Sequence, residues 1–299
     1  MTSAMGSGAI YREVTVKSAL TRVQGMPFAW SLNPYVGCER ACVYCYAREY
    51  HARRDRDTGA GFDREIDVKM NFPELLAGEL RRLRKRETVA LGTATDPYQQ
   101  CEGRYRITRR TLEALVASPL PLVVITKGSM VVRDIDLLTK LDVKVCVSIG
   151  TVSEELARTS EPHASPPKAR LEAVRRLVAA GIDVGVLAAP ILPGLSDSES
   201  SLDAVAAAAA RSGATFFSTR PLKLDPAVKP HYFAFLSAHF PALIPATEAQ
   251  FAERVNPARS YTDALEERAR RVRSRYKFQE RPFRKPEPVA PSQLRLAIH

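Results

Sequence analysis

The sequence predicts an α/β protein: a partial (β/α)6 parallel barrel followed by a C-terminal helical and extended basic extension. Three observations carry this expectation. Short apolar runs alternate with helix-length amphipathic segments, a rhythm that favours parallel strands with helices packed outside them. The strand-like runs number six, which suits an open six-unit barrel better than a closed eight-unit one. Gly181 and Gly213 stand just past two of the helix-length segments, where helix C-caps belong.

The elements follow in order. A first strand runs into SLNPYVG (31–37). The others are TVALGTA (88–94), PLVVITK (121–127), VKVCVSIG (143–150), IDVGVLAAP (182–190) and ATFFSTR (214–220), each short, apolar and bounded by Gly, Pro or charge. Helical spacing of apolar residues marks 72–86, 108–118, 133–141, 167–181 and 198–213. After Pro221 the rhythm weakens. YTDALEERARRVRSRYKF (261–278) reads as a basic amphipathic helix, and the Pro-rich 280–299 as extended chain. The expected division is an N-terminal extension at 1–28, a core at 29–221, and a C-terminal region at 222–299.

The chain has 299 residues, 45% of them hydrophobic and 26% charged, which excludes collagen-like, wholly disordered and disulfide-stapled classes. Its formal net charge is +11, and ten Lys/Arg stand against four Asp/Glu from Leu265 to His299. That surplus suggests a polyanionic partner, with DNA contacting the basic tail; the alternative reading of the tail is a solvated helix followed by a segment that packs across the barrel. No apolar run is long enough for a membrane helix, and the N-terminus lacks a signal pattern, so no membrane partner and a cytoplasmic location are expected.

Three of the five cysteines, Cys38, Cys42 and Cys45, fall within eight residues as Cys-x3-Cys-x2-Cys. Three thiolates on one loop suit a soft metal or an iron–sulfur cluster. A cubane cluster has four irons, so three protein ligands would leave one open to a small molecule. The alternative is structural zinc, with His51 or Cys101 as a fourth ligand.

The string GCERACVYCY (37–46) resembles the defining loop of the radical SAM superfamily, with Tyr44 as its aromatic residue, and within it the spore photoproduct lyase-like group. TATDPYQ (93–99), ITKG (125–128), VSIGT and EP (147–162), and RLEAVRRLVAAGIDVGVLAAPILPG (170–194) match in the same order. The resemblance implies a radical SAM barrel holding a [4Fe-4S] cluster and S-adenosylmethionine. It implies reductive cleavage of that cofactor to a 5′-deoxyadenosyl radical, which abstracts hydrogen from a substrate. It further implies an electron donor such as a reductase, flavodoxin or ferredoxin.

By resemblance Cys38, Cys42 and Cys45 hold the cluster. Tyr44 lies against the adenine and Tyr46 near the site. Thr95 and Asp96 receive the methionyl ammonium, and Lys127 pairs with its carboxylate. Ser148 contacts the ribose or carboxylate, and Pro190 and Ile191 pack on the adenine. Glu161 and Arg170 form a charge pair shaping the pocket. One departure stands out. The group's hydrogen-donating cysteine is replaced by Thr93, or by Ala94 if the register slips, leaving Cys101 and Cys146 as substitutes. The expected function is radical chemistry on a nucleic-acid lesion, as in a DNA repair lyase. The alternatives are modification of a small metabolite or peptide, and a zinc-stabilised nucleic-acid-binding protein without catalysis.

Overall fold

The computed structural model describes residues 3–4, 8–83, 85–118 and 120–283. Six parallel strands form its centre: β1 (Trp30–Leu32), β2 (Val89–Leu91), β3 (Leu122–Thr126), β4 (Val143–Ser148), β5 (Asp183–Ile191) and β6 (Phe216–Pro221). They lie side by side in chain order, with Leu20–Arg22 added antiparallel to β1 at one edge. The sheet is open, with β6 at its other edge. This is the partial barrel that the alternating pattern predicts.

The strands alternate as a half-wrapped sheet must. In β4, Val143, Val145 and Val147 are buried on the helix-covered side, while Lys144, Cys146 and Ser148 point the other way, into the lumen. The register places Ile125, Cys146, Gly185 and Phe216 in one row. Gly185 is required there, since a Cβ would come within 2.1 Å of the Phe216 ring.

The covering helices form where apolar spacing and caps agree. Pro167–Ala179 begins with proline at its first position, buries Ala173, Val174 and Leu177, and ends before Gly181 at φ +81°. Glu199–Arg211 is capped by Ser198, whose Oγ accepts the Ser201 N–H at 3.1 Å, and ends before Gly213, also at φ +81°. Ile107–Val116 lies as expected. Phe72–Leu80 stops short of residue 86, because the basic run that follows sets like charges one helical turn apart. The helix expected at 133–141 is a 3-10 segment, Ser129–Asp134, with one α-turn at Ile135–Leu138.

A second, four-stranded sheet was not expected. Ile10–Val14 runs parallel to Glu65–Lys69, flanked by Tyr35–Val36 and Ser3–Ala4. It buttresses the cysteine loop, which runs on from Tyr35–Val36.

The C-terminal region is docked. The helix Arg259–Ser274 buries Leu265, Ala269 and Val272 against Glu199–Arg211 and β6. Arg271 and Arg275 bridge to Glu199, and Arg275 also to Asp203 at 3.0 Å. Phe278 stacks on Phe217 at 5.8 Å, and Glu280 pairs with Lys144 at 2.7 Å beneath the lumen. Of the two readings of the basic tail, packing on the barrel is the one these contacts support: part of its charge is satisfied by the chain's own carboxylates, and its apolar face is core. Most of the segment expected to be extended, from residue 284 onward, lies outside the described residues.

Candidate active site

The cysteine loop emerges from β1 at the C-terminal end of the barrel, where parallel barrels place their chemistry. Gly37 turns it with φ +83°. Any side chain there would meet the carbonyl oxygens of Glu65 at 2.9 Å and Phe62 at 3.0 Å. Hydrogen bonds then fix its path: Cys38 N–H to Phe62 O at 3.0 Å, Val43 N–H to Ser160 O at 3.0 Å, and Cys45 N–H to Cys42 O at 3.2 Å.

The loop's charged residues are buried and turned inward. Glu39 accepts the Tyr11 hydroxyl at 2.7 Å and the Cys101 N–H at 2.8 Å. Arg40 donates to Asp96 at 3.2 Å, to His163 O at 3.1 Å and to Tyr98 O. Arg48 donates to Cys42 O at 3.2 Å and pairs with Asp63 at 2.8 Å. Sequence reasoning missed these three. Their signal was charge inside or beside a loop whose cysteines already marked it as packed.

Backbone N–H groups of Arg40 and Asp96 point at the Cys38 sulfur, and that of Ala47 at Cys45. Cys38 and Cys42 are each 6% exposed, and Cys45 is half-buried. Burial pushes all three thiols up, Cys38 to about 12, with nearby negative charge, including that of their own neighbours in the loop, adding to the effect at Cys38 and Cys42. Such a group ionises when a cationic centre replaces the lost water, so the donor set fits a metal cluster. A structural zinc ion would need four His, Cys, Asp or Glu side chains around one point. A cubane instead puts each thiolate on a different iron. His51 is 1% exposed, with its Nδ1 3.2 Å from Asp57 O, its ring edge-on to Phe62 and its Nε2 buried without a hydrogen-bond partner.

Beside the loop, β3, β4 and β5 supply a polar wall. Lys127 Nζ lies 5.6 Å from the Tyr44 ring centroid, donates to Ser148 Oγ at 2.8 Å, and stands 3.7 Å from Glu161. Glu161 also accepts the Tyr44 hydroxyl and the Arg170 guanidinium. Burial opposes ionisation of Glu161, but Arg170 and then Lys127 outweigh it and hold the carboxyl below its usual range. The anticipated Glu161–Arg170 pair therefore exists, and it supports Tyr44 and Lys127 together.

The other sequence-derived residues fall in different surroundings. Asp96 accepts four bonds: Tyr98 N–H at 2.8 Å, Thr126 Oγ–H at 2.7 Å, Lys127 N–H at 2.8 Å and Arg40 Nε at 3.2 Å. Burial works against its charge, yet Arg40 and these donors hold its pKa below the ordinary value. Its lone pairs are fully used within the protein. Thr95 Oγ1 is likewise occupied, donating to Gly37 O at 2.7 Å and accepting from Gln99 at 2.9 Å. Pro190 lines a crevice with Tyr44, Gly150, Thr151 and Glu161. Ile191 is fully buried in the main core. Tyr46, 45% exposed, donates its hydroxyl to Thr93 O, while Thr93 Oγ1 bonds Ser31 Oγ at 2.5 Å and Asn33 at 3.2 Å. Cys101 is buried in the core beside the Glu39 and Glu102 carboxylates, whereas half-buried Cys146 faces the lumen below Ser148.

An open parallel barrel carrying three clustered cysteines on a loop at its mouth, with a lysine-bearing wall beside them, defines a class: an iron–sulfur enzyme core. The comparisons with known proteins name the class. Residues 32–204 match the model of the radical SAM superfamily. An uncharacterized protein of Mycobacterium tuberculosis is 37% identical over 279 residues, covering 91% of this chain and 82% of that one. The Radical SAM Nalpha-GlyT isomerase of Pseudomonas phage M6 is 26% identical over 165 residues, covering 54% of this chain and 33% of that one. Among solved structures, a spore photoproduct lyase variant with bound AdoMet and dinucleoside spore photoproduct superposes with a TM-score of 0.68 at 14% identity, covering 90% of this chain and 80% of that one. The chain belongs to the radical SAM superfamily, whose members use a [4Fe-4S] cluster and S-adenosylmethionine, and this removes the zinc-protein alternative. Among the described residues no helix is long and apolar enough to cross a membrane.

Proposed function

We propose that this radical SAM enzyme acts on a damaged or modified nucleobase within nucleic acid, in the manner of a DNA repair lyase. The observation that carries the site assignment is Lys127, a cation held beside Tyr44 on the wall next to the cysteine loop. The substrate class is supported by the net charge of +11 and by two likenesses: a lyase structure bound to a dinucleoside photoproduct and a phage isomerase whose name specifies GlyT.

Cys38, Cys42 and Cys45 would hold the cluster in this reading. Together with S-adenosylmethionine and an electron donor, a flavodoxin, ferredoxin or reductase, it would supply the radical chemistry that abstracts hydrogen from a substrate. Lys127 pairs with the cofactor's carboxylate, and Ser148 keeps the lysine extended into the lumen. Tyr44 and Pro190 form the adenine-side wall. Asp96 and Thr95 act as positioning residues, because their oxygens are already committed. Cys146 and Tyr46 are the candidates to return hydrogen to the product side, Thr93 having no hydrogen suited to that transfer. Cys101, buried against two carboxylates, is not among them.

The test is anaerobic reconstitution followed by 5′-deoxyadenosine measurement with dithionite as reductant. Ultraviolet-irradiated or base-modified oligonucleotides should raise turnover above the uncoupled level and be converted. If no nucleic acid of either kind does so, the substrate class is wrong.

A further inference from the structure

The last barrel strand ends in a cation that the protein itself leaves unused. Along β6, Phe217 and Thr219 lie on the helix-covered side, Thr219 in register with fully buried Ala188. The period of two sends Phe216 and Ser218 to the lumen side, Ser218 level with Leu187; the register between β5 and β6 then shifts between Ala188 and Ile191, and Arg220 follows at the strand end, near enough to Cys146 for its charge to act there. The arginines around the cysteine loop behave differently. Arg40, Arg48 and Arg170 are buried, each on a carboxylate. Arg220 is exposed, its one hydrogen bond runs from Nη1 to the neighbouring Thr219 O at 2.8 Å, and it pairs with no carboxylate among the described residues.

Its position is nevertheless fixed. The following Leu222 donates its N–H to Ile191 O at 3.2 Å, and Leu222 and Leu224 are fully buried in the same apolar cluster as Cys42 and Tyr44. The strand end bearing Arg220 is thus anchored to the floor of the cysteine loop. Its charge is also among those felt at Cys146, in the lumen. A guanidinium on a rigid strand end, with most of its N–H groups free, presents the planar fork that matches a phosphate.

We propose that Arg220 binds a backbone phosphate of the nucleic-acid substrate and so sets which base lies over the lumen. This rests on the nucleic-acid reading above. An exposed arginine that only attracts polyanions at long range would act through its charge alone. One that grips a phosphate acts through its fork and only where a phosphate oxygen is charged. Lys223, exposed three residues further on and also without an ion pair among the described residues, is the natural comparison.

The experiment measures binding of fluorescent oligothymidylate to reconstituted full-length protein, with phosphodiester or with neutral methylphosphonate linkages. R220Q should weaken phosphodiester binding about ten- to a hundred-fold, the range of a charge-assisted contact. R220K should recover only part, K223Q should lose less than about threefold, and R220Q should not matter on the methylphosphonate probe. Unchanged iron content and circular dichroism verify that the fold is intact. Equal losses in R220Q and K223Q, full recovery in R220K, or an undiminished R220Q effect on the neutral probe would each overturn the proposal. Wild-type protein that makes 5′-deoxyadenosine but binds neither probe overturns the nucleic-acid reading itself, and Arg220 falls with it.

Discussion

Replacing Arg170 with methionine removes one charge from a site with almost no water. Arg170 is 1% exposed and donates to Ser148 O at 2.7 Å, to Ser165 O at 2.5 Å and to the Glu161 carboxylate. Methionine keeps much of the volume, so the loss is electrostatic. Breaking a buried pair by removing one partner costs about 3–5 kcal/mol. The pH dependence gives a sharper check. In the wild type the folded pKa of Glu161 lies below its unfolded value, so its contribution is present above the unfolded value and is lost as pH falls through the folded one. In R170M burial is opposed only by Lys127 and the Tyr44 hydroxyl. The folded pKa should then rise above the unfolded value, and the side chain should cost stability as pH rises. The gap between the two proteins must therefore widen from about pH 4 to pH 8. Urea unfolding under anaerobic conditions across that range measures it. A gap below about 1 kcal/mol, or one that does not change with pH, would show that Glu161 does not depend on Arg170. Adding E161Q to R170M should restore a large part of the loss, since no charge is then stranded.

Three further outcomes follow from the structure. Cys38→Ala, Cys42→Ala and Cys45→Ala should each abolish cluster assembly on iron and sulfide reconstitution, while Cys101→Ala should retain wild-type iron, because its thiol is enclosed by the core and the Glu39 and Glu102 carboxylates. Leu265→Ala should cost about 2–5 kcal/mol in chemical unfolding, and truncation after Thr262 should yield insoluble or cluster-poor protein, because the removed helix covers the core at Leu265, Ala269 and Val272; soluble, fully loaded truncated protein would mean the helix is dispensable.

The parts of the fold that were legible in the sequence are those whose signal is local. Val143, Val145 and Val147 announce a strand by spacing alone, and Gly181 and Gly213 announce helix ends because a left-handed residue is needed there. The second sheet was not legible. Ile10–Val14 and Glu65–Lys69 are five-residue strands rich in charge, and each finds its partner across more than fifty residues of intervening chain. The cysteine loop was legible by spacing, and Cys146 shows by its alternation with Ser148 which face it shares, whereas nothing near Cys101 in sequence reveals that Glu39 folds over it. The partners of the basic tail were hidden for a related reason. Its charges are adjacent in sequence, while the carboxylates that meet them, Glu199 and Asp203, lie about seventy residues upstream.

Asp96 shows what a strand-end carboxylate can do within the fold itself. One of its oxygens, Oδ2, accepts from Arg40 of the cysteine loop and from the backbone N–H of Lys127. The other holds Thr126 and Tyr98. A single carboxylate thus sets the cluster loop and the lysine wall at a fixed separation. The D96N variant tests this against direct contact with the cofactor. Asparagine keeps the shape but turns one acceptor into a donor, so two of the four donors around it must face an N–H group. The loop and the wall should loosen together: iron retention, stability and S-adenosylmethionine affinity should all fall. K127A, by contrast, should lower only the affinity, by roughly ten- to a hundred-fold, the worth of one charge-assisted bond. Iron analysis, urea unfolding and calorimetric titration on the two variants separate the cases. If D96N keeps its iron and its stability and loses only affinity, Asp96 meets the methionyl ammonium directly, and its four internal donors are not what holds it in the fold.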